Sequence, residues 1–398
     1  MIYKKFKELS LSALGFGTMR LPVLENGSID QKTVDEMVDY ALAHGVNYFD
    51  TAAPYHSGTS EIAIGKALSR YPRESWYLAD KYPGHQISSH YDPAATFEEQ
   101  LEKCGVEYFD FYLLHNINEN SVSTYMDERW GIVDYFVEQR KAGRIKHLGF
   151  SCHSMVDGLE AFLDYCGEEM EFCQIQLNYL DWTLQNAKAK YELLCDRGIP
   201  VWVMEPVRGG KLSRMPEDMD AQFRAMRPDE SISAWAFRFL QGLENVTMVL
   251  SGMSNMEQMI DNVKTYSEHK PLNAQETVLA FEAADKLKGA LPCTGCRYCC
   301  DGCPVGLDIP RLISLYMDGK FYPSLNISMQ YDAMPEDKVF SACIGCGQCA
   351  AVCPQNIDVP AAMQEAAEFF SKLPKWAEIC RQREEAAAKA KADAENKG

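Results

Sequence analysis

Two stretches near the C-terminal end carry thiols at a spacing that can hold iron. CTGCRYCCDGC, followed by Pro304, sets Cys293, Cys296, Cys299 and Cys303 in the order C-x2-C-x2-C-x3-C-P. CIGCGQCAAVC, followed by Pro354, repeats it with Cys343, Cys346, Cys349 and Cys353. Such short spacing lets one loop wrap three thiolates around a four-iron cube, and Gly295, Gly345 and Gly347 give the backbone room to turn. The pattern predicts two [4Fe-4S] clusters in which the fourth cysteine of each run crosses to the other run's cluster. One set is then Cys293, Cys296, Cys299 and Cys353, and the other Cys343, Cys346, Cys349 and Cys303. Zinc also accepts C-x2-C pairs, but two complete runs each ending in Cys-Pro favour clusters. Cys299 repeats the second run, while Cys300 stays open as an alternative ligand. The other six cysteines are scattered and read as packed thiols, not as a disulfide framework.

A second set of reactive side chains lies in the first third of the chain. Asp50 and Tyr55 stand in FDTAAPYHSGTSE, Lys81 in YLADKYP and His115 in FYLLHNIN, each at or just after a short apolar run. Taken singly, an aspartate there caps a helix and a lysine is solvated. Four groups of complementary acid–base character after three successive runs read instead as one site, provided the fold gathers the run ends on one rim.

The elements that would gather them are legible in the alternation of apolar runs and amphipathic stretches. Strands are expected at 14–17, 47–50, 76–79, 109–114, 146–150, 172–177, 200–204 and 246–250. Helices are expected at 31–44, 59–69, 93–104, 130–142, 154–165, 185–197, 230–241 and 255–266, several ending on a glycine stop such as AHG, KAG or DRG. Eight strand–helix units in about 270 residues predict an α/β fold, a (β/α)8 TIM barrel, whose chemistry sits at the C-terminal ends of its strands. YKKFKELSLS reads as a hairpin closing the barrel bottom. A doubly wound sheet would need a glycine-rich phosphate loop that LGFGTMRLP does not supply. The barrel is assigned to residues 1–275, a small, mainly helical iron–sulfur domain to 276–372, and a solvated helical tail to 373–398.

Over roughly residues 5–270, FDTAAPYHSGTSE, ADK, FYLLH, GRIKHLGFS and SGMSNMEQMIDN occur in the order in which they resemble the aldo/keto reductase family. The resemblance implies reversible hydride transfer between a nicotinamide cofactor, NADP or NAD, and a small carbonyl or alcohol. It makes Tyr55 the general acid, Lys81 the cation that lowers the phenol pKa, Asp50 the group that holds Lys81, and His115 the group that orients the carbonyl oxygen. Position by position, it implies cofactor contacts from Gly17, Thr18 and Met19, from Asp50, from Ser151 and Gln174 at the carboxamide, and from Pro206, Val207 and Gly210 over the pyrophosphate. Ser254, Gln258 and Asn262 match the adenosine end. Two positions depart from the family. Met204 stands where an aromatic ring commonly stacks on the nicotinamide, which leaves a flavin in the same pocket as an alternative. Ser254 stands where a basic residue often grips a 2′-phosphate, which weakens the case for NADPH over NADH. The cysteine runs, each followed by a helix-patterned LDIPRLISLYMDGK or IDVPAAMQEAAEFFSKL, resemble the α-helical ferredoxin type over about residues 290–372.

Composition narrows the remaining classes. Of 398 residues 46% are hydrophobic and 24% charged, and the formal net charge is -18. The summed field repels phosphate, which argues against nucleic acid and anionic membranes as partners. No run approaches the ~18 apolar residues of a membrane span, and the N-terminus carries no export pattern, so a cytoplasmic protein is expected. The expected partners are a small carbonyl or alcohol and an electron-transfer protein. A hydride moves two electrons together, whereas a cubane cluster passes one. The function read here is an iron–sulfur oxidoreductase of the aldo/keto type. The alternative is a redox sensor or electron carrier whose clusters act while the barrel serves as a docking scaffold.

Overall fold

In the computed structural model the first strands, β1 (Tyr3–Phe6) and β2 (Leu9–Ser12), pair as an antiparallel hairpin. The structure describes residues 1–86, 88–119, 121–215, 217–288, 291, 293, 298–321, 325–353 and 357–395. Eight further strands follow: β3 (Leu14–Gly17), β4 (Tyr48–Asp50), β5 (Tyr77–Tyr82), β6 (Phe109–Ile117), β7 (Ile145–Cys152), β8 (Cys173–Gln176), β9 (Val201–Met204) and β10 (Val246–Ser251). They run parallel and close in the order β10-β3-β4-β5-β6-β7-β8-β9. Closure makes this the expected (β/α)8 barrel and rules out the open doubly wound sheet.

Side chains two apart along a strand share a face. The inward residues of the lower barrel, Tyr48, Ala79, Phe111, Leu113, Phe172, Trp202, Met248 and Leu250, form one buried cluster that Phe6 and Leu11 of the hairpin join from below. Phe6 meets Trp202 edge to face, with ring centroids 5.0 Å apart. Trp202 is fully buried, so its truncation to alanine would cost about 3–5 kcal/mol.

The outer helices begin where the sequence supplies caps. Asp30, Asp92 and Ser231 accept N–H groups of the helices Gln31–Ala43, Pro93–Cys104 and Ile232–Gln241. The helix Ser60–Leu68 packs backbone to backbone on Pro93–Cys104, since a Cβ at Gly65 would lie 2.3 Å from the Cys104 carbonyl oxygen. Strands β5, β6 and β7 extend past their expected ends at 79, 114 and 150. Their ladders continue to the rim, with Lys81 opposite Leu113 and Ile117 opposite Cys152, because main-chain pairing does not require apolar side chains.

By contact density the chain divides into two units. The first holds Met1–His85, His90–Ile117 and Ser121–Ala284; the second holds Gln86–Ser89, Asn118–Asn120 and Asp285–Gly398. The helix Ala274–Lys288 spans the boundary assigned at 275 from sequence. In the second unit, Asp308 and Asp358 accept the N–H groups of Arg311 and Ala361 at the starts of the helices Ile309–Phe321 and Val359–Ser371. The repeated Asp-(Ile/Val)-Pro is therefore a repeated helix start. Tyr331, Phe340 and Phe370 stack at its centre, with centroids 4.4–5.4 Å apart. Residues 383–389 of the last helix, Trp376–Glu395, are exposed. Its start is not solvated: Trp376 and Cys380 are buried against Met329. No described helix is long and apolar enough to cross a membrane.

Candidate active site and cysteine sites

The inward face that is apolar low in the barrel turns polar one step higher. Tyr48 is followed on that face by Asp50, Ala79 by Lys81, Leu113 by His115 and Trp202 by Met204. Lys81 and His115 lie inside β5 and β6, where sequence alone put them just beyond the strands.

Lys81 is buried, and its Nζ donates to Asp50 Oδ1 at 2.5 Å and to the Thr51 carbonyl at 2.6 Å. Burial works against the ammonium, but Asp50 and then Tyr55 hold its pKa above the ordinary value, so the lysine stays charged. Removing one partner of such a pair strands a buried charge, at about 3–5 kcal/mol. The Lys81 Nζ lies 5.1 Å from the centre of the Tyr55 ring. Lysine does pull the phenol pKa down as expected, yet burial is the larger effect and leaves Tyr55 above its ordinary value. The direction expected from sequence is thus reversed in the protein by itself.

Tyr55 opens a short turn in which His56 and Ser57 have φ of 49° and 55°, left-handed values that are costly for residues with a Cβ. The turn is tied down where His56 Nε2 accepts the Leu21 N–H at 3.0 Å. His115 stands edge-on to Tyr55, with ring centroids 6.0 Å apart. Burial first, then His85, Lys81 and His153, push its pKa well down, leaving a neutral imidazole. His85, which the sequence reading did not single out, lies 4.6 Å from His115, centroid to centroid.

Above these residues lies a cleft of ≈ 370 Å³. Gly17, Met19, Asp50, Tyr55, Gln174 and Met204 line its inner part. Pro206, Val207 and Gly210 form one wall, and Ser254, Gln258 and Asn262 the far end. Thr18 and Ser151 are not part of this lining. The Thr18 hydroxyl donates to the Asp50 carbonyl at 3.0 Å, and Ser151 Oγ accepts the Asn116 N–H at 2.8 Å, so both brace the site from behind. Gln174 Oε1 is buried and has no hydrogen-bond partner among the described residues, which suits a ligand that brings a donor such as a carboxamide. Gln258 Oε1 accepts the Ser254 N–H at 2.8 Å and Asn262 donates to Ser251 at 2.9 Å, shaping the loop after β10.

Three charged lining residues were missed from sequence. Arg20 pairs with Glu205 at 3.1 Å, and Asp261 joins the far end while accepting from Ser231 at 2.6 Å. Glu205 has φ 54°, and its side chain accepts the Gly209 N–H. No local pattern marks a pair separated by 185 positions.

In the second unit Cys303, Cys343, Cys346 and Cys349 line one small cavity with Pro304, Leu307, Ile344, Val359 and Met363. A cysteine of the first run thus joins three of the second. Gly345 and Gly347 turn the loop at φ 69° and 76°, and the Leu307 N–H points to Cys303 Sγ at 3.4 Å. The soft, all-thiol donor set fits an iron–sulfur cluster. Of the other set, Cys293, Cys299 and Cys353 are described and Cys296 lies outside the described residues. Cys299 is buried, and burial followed by the neighbouring Cys300 pushes its thiol up to about 12.

Comparison with known proteins agrees with this division. The sequence model of the aldo/keto reductase family matches residues 13–279, and that of the 4Fe-4S dicluster domain matches residues 292–357. The chain is 27% identical over 227 residues to the NADH-specific methylglyoxal reductase of Escherichia coli, a match covering 52% of this chain and 67% of that one. It is 30% identical over 149 residues to a probable aldo-keto reductase of Glycine max, covering 35% of this chain and only 41% of the relative. Among solved structures, the holo form of an aldo-keto reductase from Bacillus halodurans superposes with a TM-score of 0.58 at 24% identity, covering 71% of this chain and 96% of that one. At that identity the likeness speaks for the fold.

Proposed function

From the premise that this chain belongs to the aldo/keto reductase family, with a 4Fe-4S dicluster domain following in sequence, we propose that it is an oxidoreductase interconverting a small carbonyl and its alcohol at the β4–β6 rim. The observation that carries this reading is the assembly of Asp50, Lys81, Tyr55 and His115 beneath a cleft whose Gln174 oxygen awaits a donor. When bound, a nicotinamide dinucleotide supplies the hydride and four-iron clusters supply single-electron transfer.

The chain's own residues do the rest. Tyr55 gives its hydroxyl proton to the carbonyl oxygen in reduction and takes it back in oxidation. Lys81, held by Asp50, offsets the charge then left on the phenol oxygen. His115, kept neutral, offers an N–H to the same carbonyl and orients it. Gln174 and the wall Pro206, Val207 and Gly210 would hold the dinucleotide. Ser254 brings no charge to the far end and Asp261 adds a carboxylate, which supports use of NADH at least as readily as NADPH. Two clusters with crossed ligation, Cys293, Cys296, Cys299 and Cys353 for one and Cys343, Cys346, Cys349 and Cys303 for the other, would pass electrons to a partner protein.

Methylglyoxal is a suitable probe carbonyl. Protein purified without oxygen is expected to consume NADH or NADPH in its presence. Clusters that reduce and reoxidise while no carbonyl tried is turned over would instead favour an electron carrier built on a barrel scaffold.

A further inference from the structure

Lys81 sits on a strand that has lost its neighbour. Strand β4 ends at Asp50, opposite Ala79, and the Thr51 N–H donates to the Ala79 carbonyl at 2.9 Å. Alternate residues of a parallel strand turn their main-chain groups to the same neighbour. Lys81 therefore points its N–H and C=O to the side where β4 has already ended, in a buried wall where unmet main-chain groups are costly.

Side chains fill the gap. Asp80 Oδ1 accepts the Lys81 N–H at 2.8 Å, and Gln100 Nε2 donates to the Lys81 carbonyl at 3.0 Å. Gln100 also donates to Glu61 Oε1 at 3.1 Å and accepts from the Tyr112 hydroxyl. Asp80 and Glu61 have no exposed surface, and the two carboxyl groups lie close enough for each to influence the other's ionisation. The groups facing them are Glu61 from the helix Ser60–Leu68, Lys103 and Cys104 from Pro93–Cys104, Tyr112 from β6, and Lys81 on the same strand. Lys103 is the cation nearest the pair on its outer side, 3.5 Å from Glu61 and shared with the exposed Glu99, while the Lys81 ammonium is taken by Asp50. Two dry carboxyl groups with one shared cation disfavour being charged together. Burial and then Glu61 push Asp80 well above the usual carboxylate range, in keeping with that.

We propose that Asp80 and Glu61, sharing one proton, are positioning residues: with Gln100 they hold the Lys81 main chain beyond the end of β4, and so hold its ammonium at Asp50 and Tyr55. The proposal rests on the reading of Lys81 as part of the active site. The device belongs to this chain's ADK run, in which the residue before the lysine faces outward into the helix layer.

The test compares Asp80→Ala with Asp80→Asn in the full-length, cluster-loaded protein, using methylglyoxal and NADH as the probe pair. Asp80→Ala is expected to lower kcat about 10- to 100-fold, the penalty of a misplaced catalytic group, with the KM for NADH little changed. Asp80→Asn can still accept from Lys81 and donate to Glu61 without a titrating proton. It is expected to recover activity to within about threefold of wild type and to extend it further into alkaline pH. If Asp80→Ala does not fold, Gln100→Met, which deletes the donor to the Lys81 carbonyl, is expected to lower kcat about tenfold.

Melting curves test the shared proton without any substrate. A carboxyl whose folded pKa is raised contributes stability that is lost as pH rises through that value. The melting temperature of Asp80→Asn should therefore gain on wild type between about pH 5 and about pH 8.5, by about 2–4 °C. A gap that is constant or shrinks overturns the shared proton. An Asp80→Ala or Gln100→Met enzyme with wild-type kcat overturns the positioning role. Absence of any carbonyl turnover in wild type removes both the reading of the barrel and the positioning claim, while the melting comparison still decides the proton.

Discussion

The barrel rim and the cysteine unit assemble reactive groups in opposite ways. In the second unit three of the four proposed ligands of each set fall in one short stretch of sequence, so the expected chemistry is written in local spacing and only the fourth cysteine belongs to the other run. At the rim the four groups come from three neighbouring strands, Asp50 and Tyr55 from the end of β4 and the turn after it, Lys81 from β5 and His115 from β6, and strand pairing in the barrel brings them together. The two arrangements therefore respond differently to substitution. A cysteine change should act on one cluster and leave the barrel alone. A rim change should act on turnover and leave both clusters alone.

The largest effect expected is the loss of a whole cluster. Cys303→Ala should lower the iron content from about eight to about four atoms per chain, removing the cluster of the 343–349 run. Iron analysis with EPR checks this. Loss of the 293–299 cluster instead would break the crossed arrangement that the cavity around Cys303 supports.

Next in size, Tyr55→Phe removes only a hydroxyl. Carbonyl turnover should fall by about 10²–10⁴, the range of general acid catalysis, with both cluster signals and NADH affinity kept. A variant that keeps near-full activity on a carbonyl used by wild type would separate the rim from the chemistry.

The smallest effect concerns the cofactor. A charged contact to a 2′-phosphate is worth about 1.5–3 kcal/mol. With Ser254 and Asp261 at the far end, kcat/KM for NADH should lie within about tenfold of that for NADPH or exceed it. A preference of several hundred-fold for NADPH would show that another cation serves that end.

The same contrast explains what could be read from the chain alone. Short apolar runs marked the barrel strands, which are buried on both faces, and amphipathic stretches marked the helices, which have one face in the core. They could not mark how far β5 and β6 run, since the rim ladder is made by main chain, so Lys81 and His115 seemed to follow their strands. Spacing grouped Cys303 with the second run, and in the structure it lines one cavity with Cys343, Cys346 and Cys349. The sign of the Tyr55 shift was not legible, because it depends on burial that no motif records. Nor were Arg20 with Glu205, or Asp80 with Glu61, whose partners are distant in sequence and meet only when loops and helices pack. Thr18 and Ser151 matched a family position but turn their hydroxyls to neighbouring main chain.

We propose that the rim moves a hydride directly to a carbonyl carbon while the clusters serve another exchange. The anaerobic protein is supplied with methylglyoxal and NADH deuterated at the transferring C4 position, and the product is read by mass spectrometry. Direct transfer predicts deuterium on the new carbinol carbon in nearly every product molecule. Product bearing only solvent hydrogen there, formed as the clusters cycle, would contradict it.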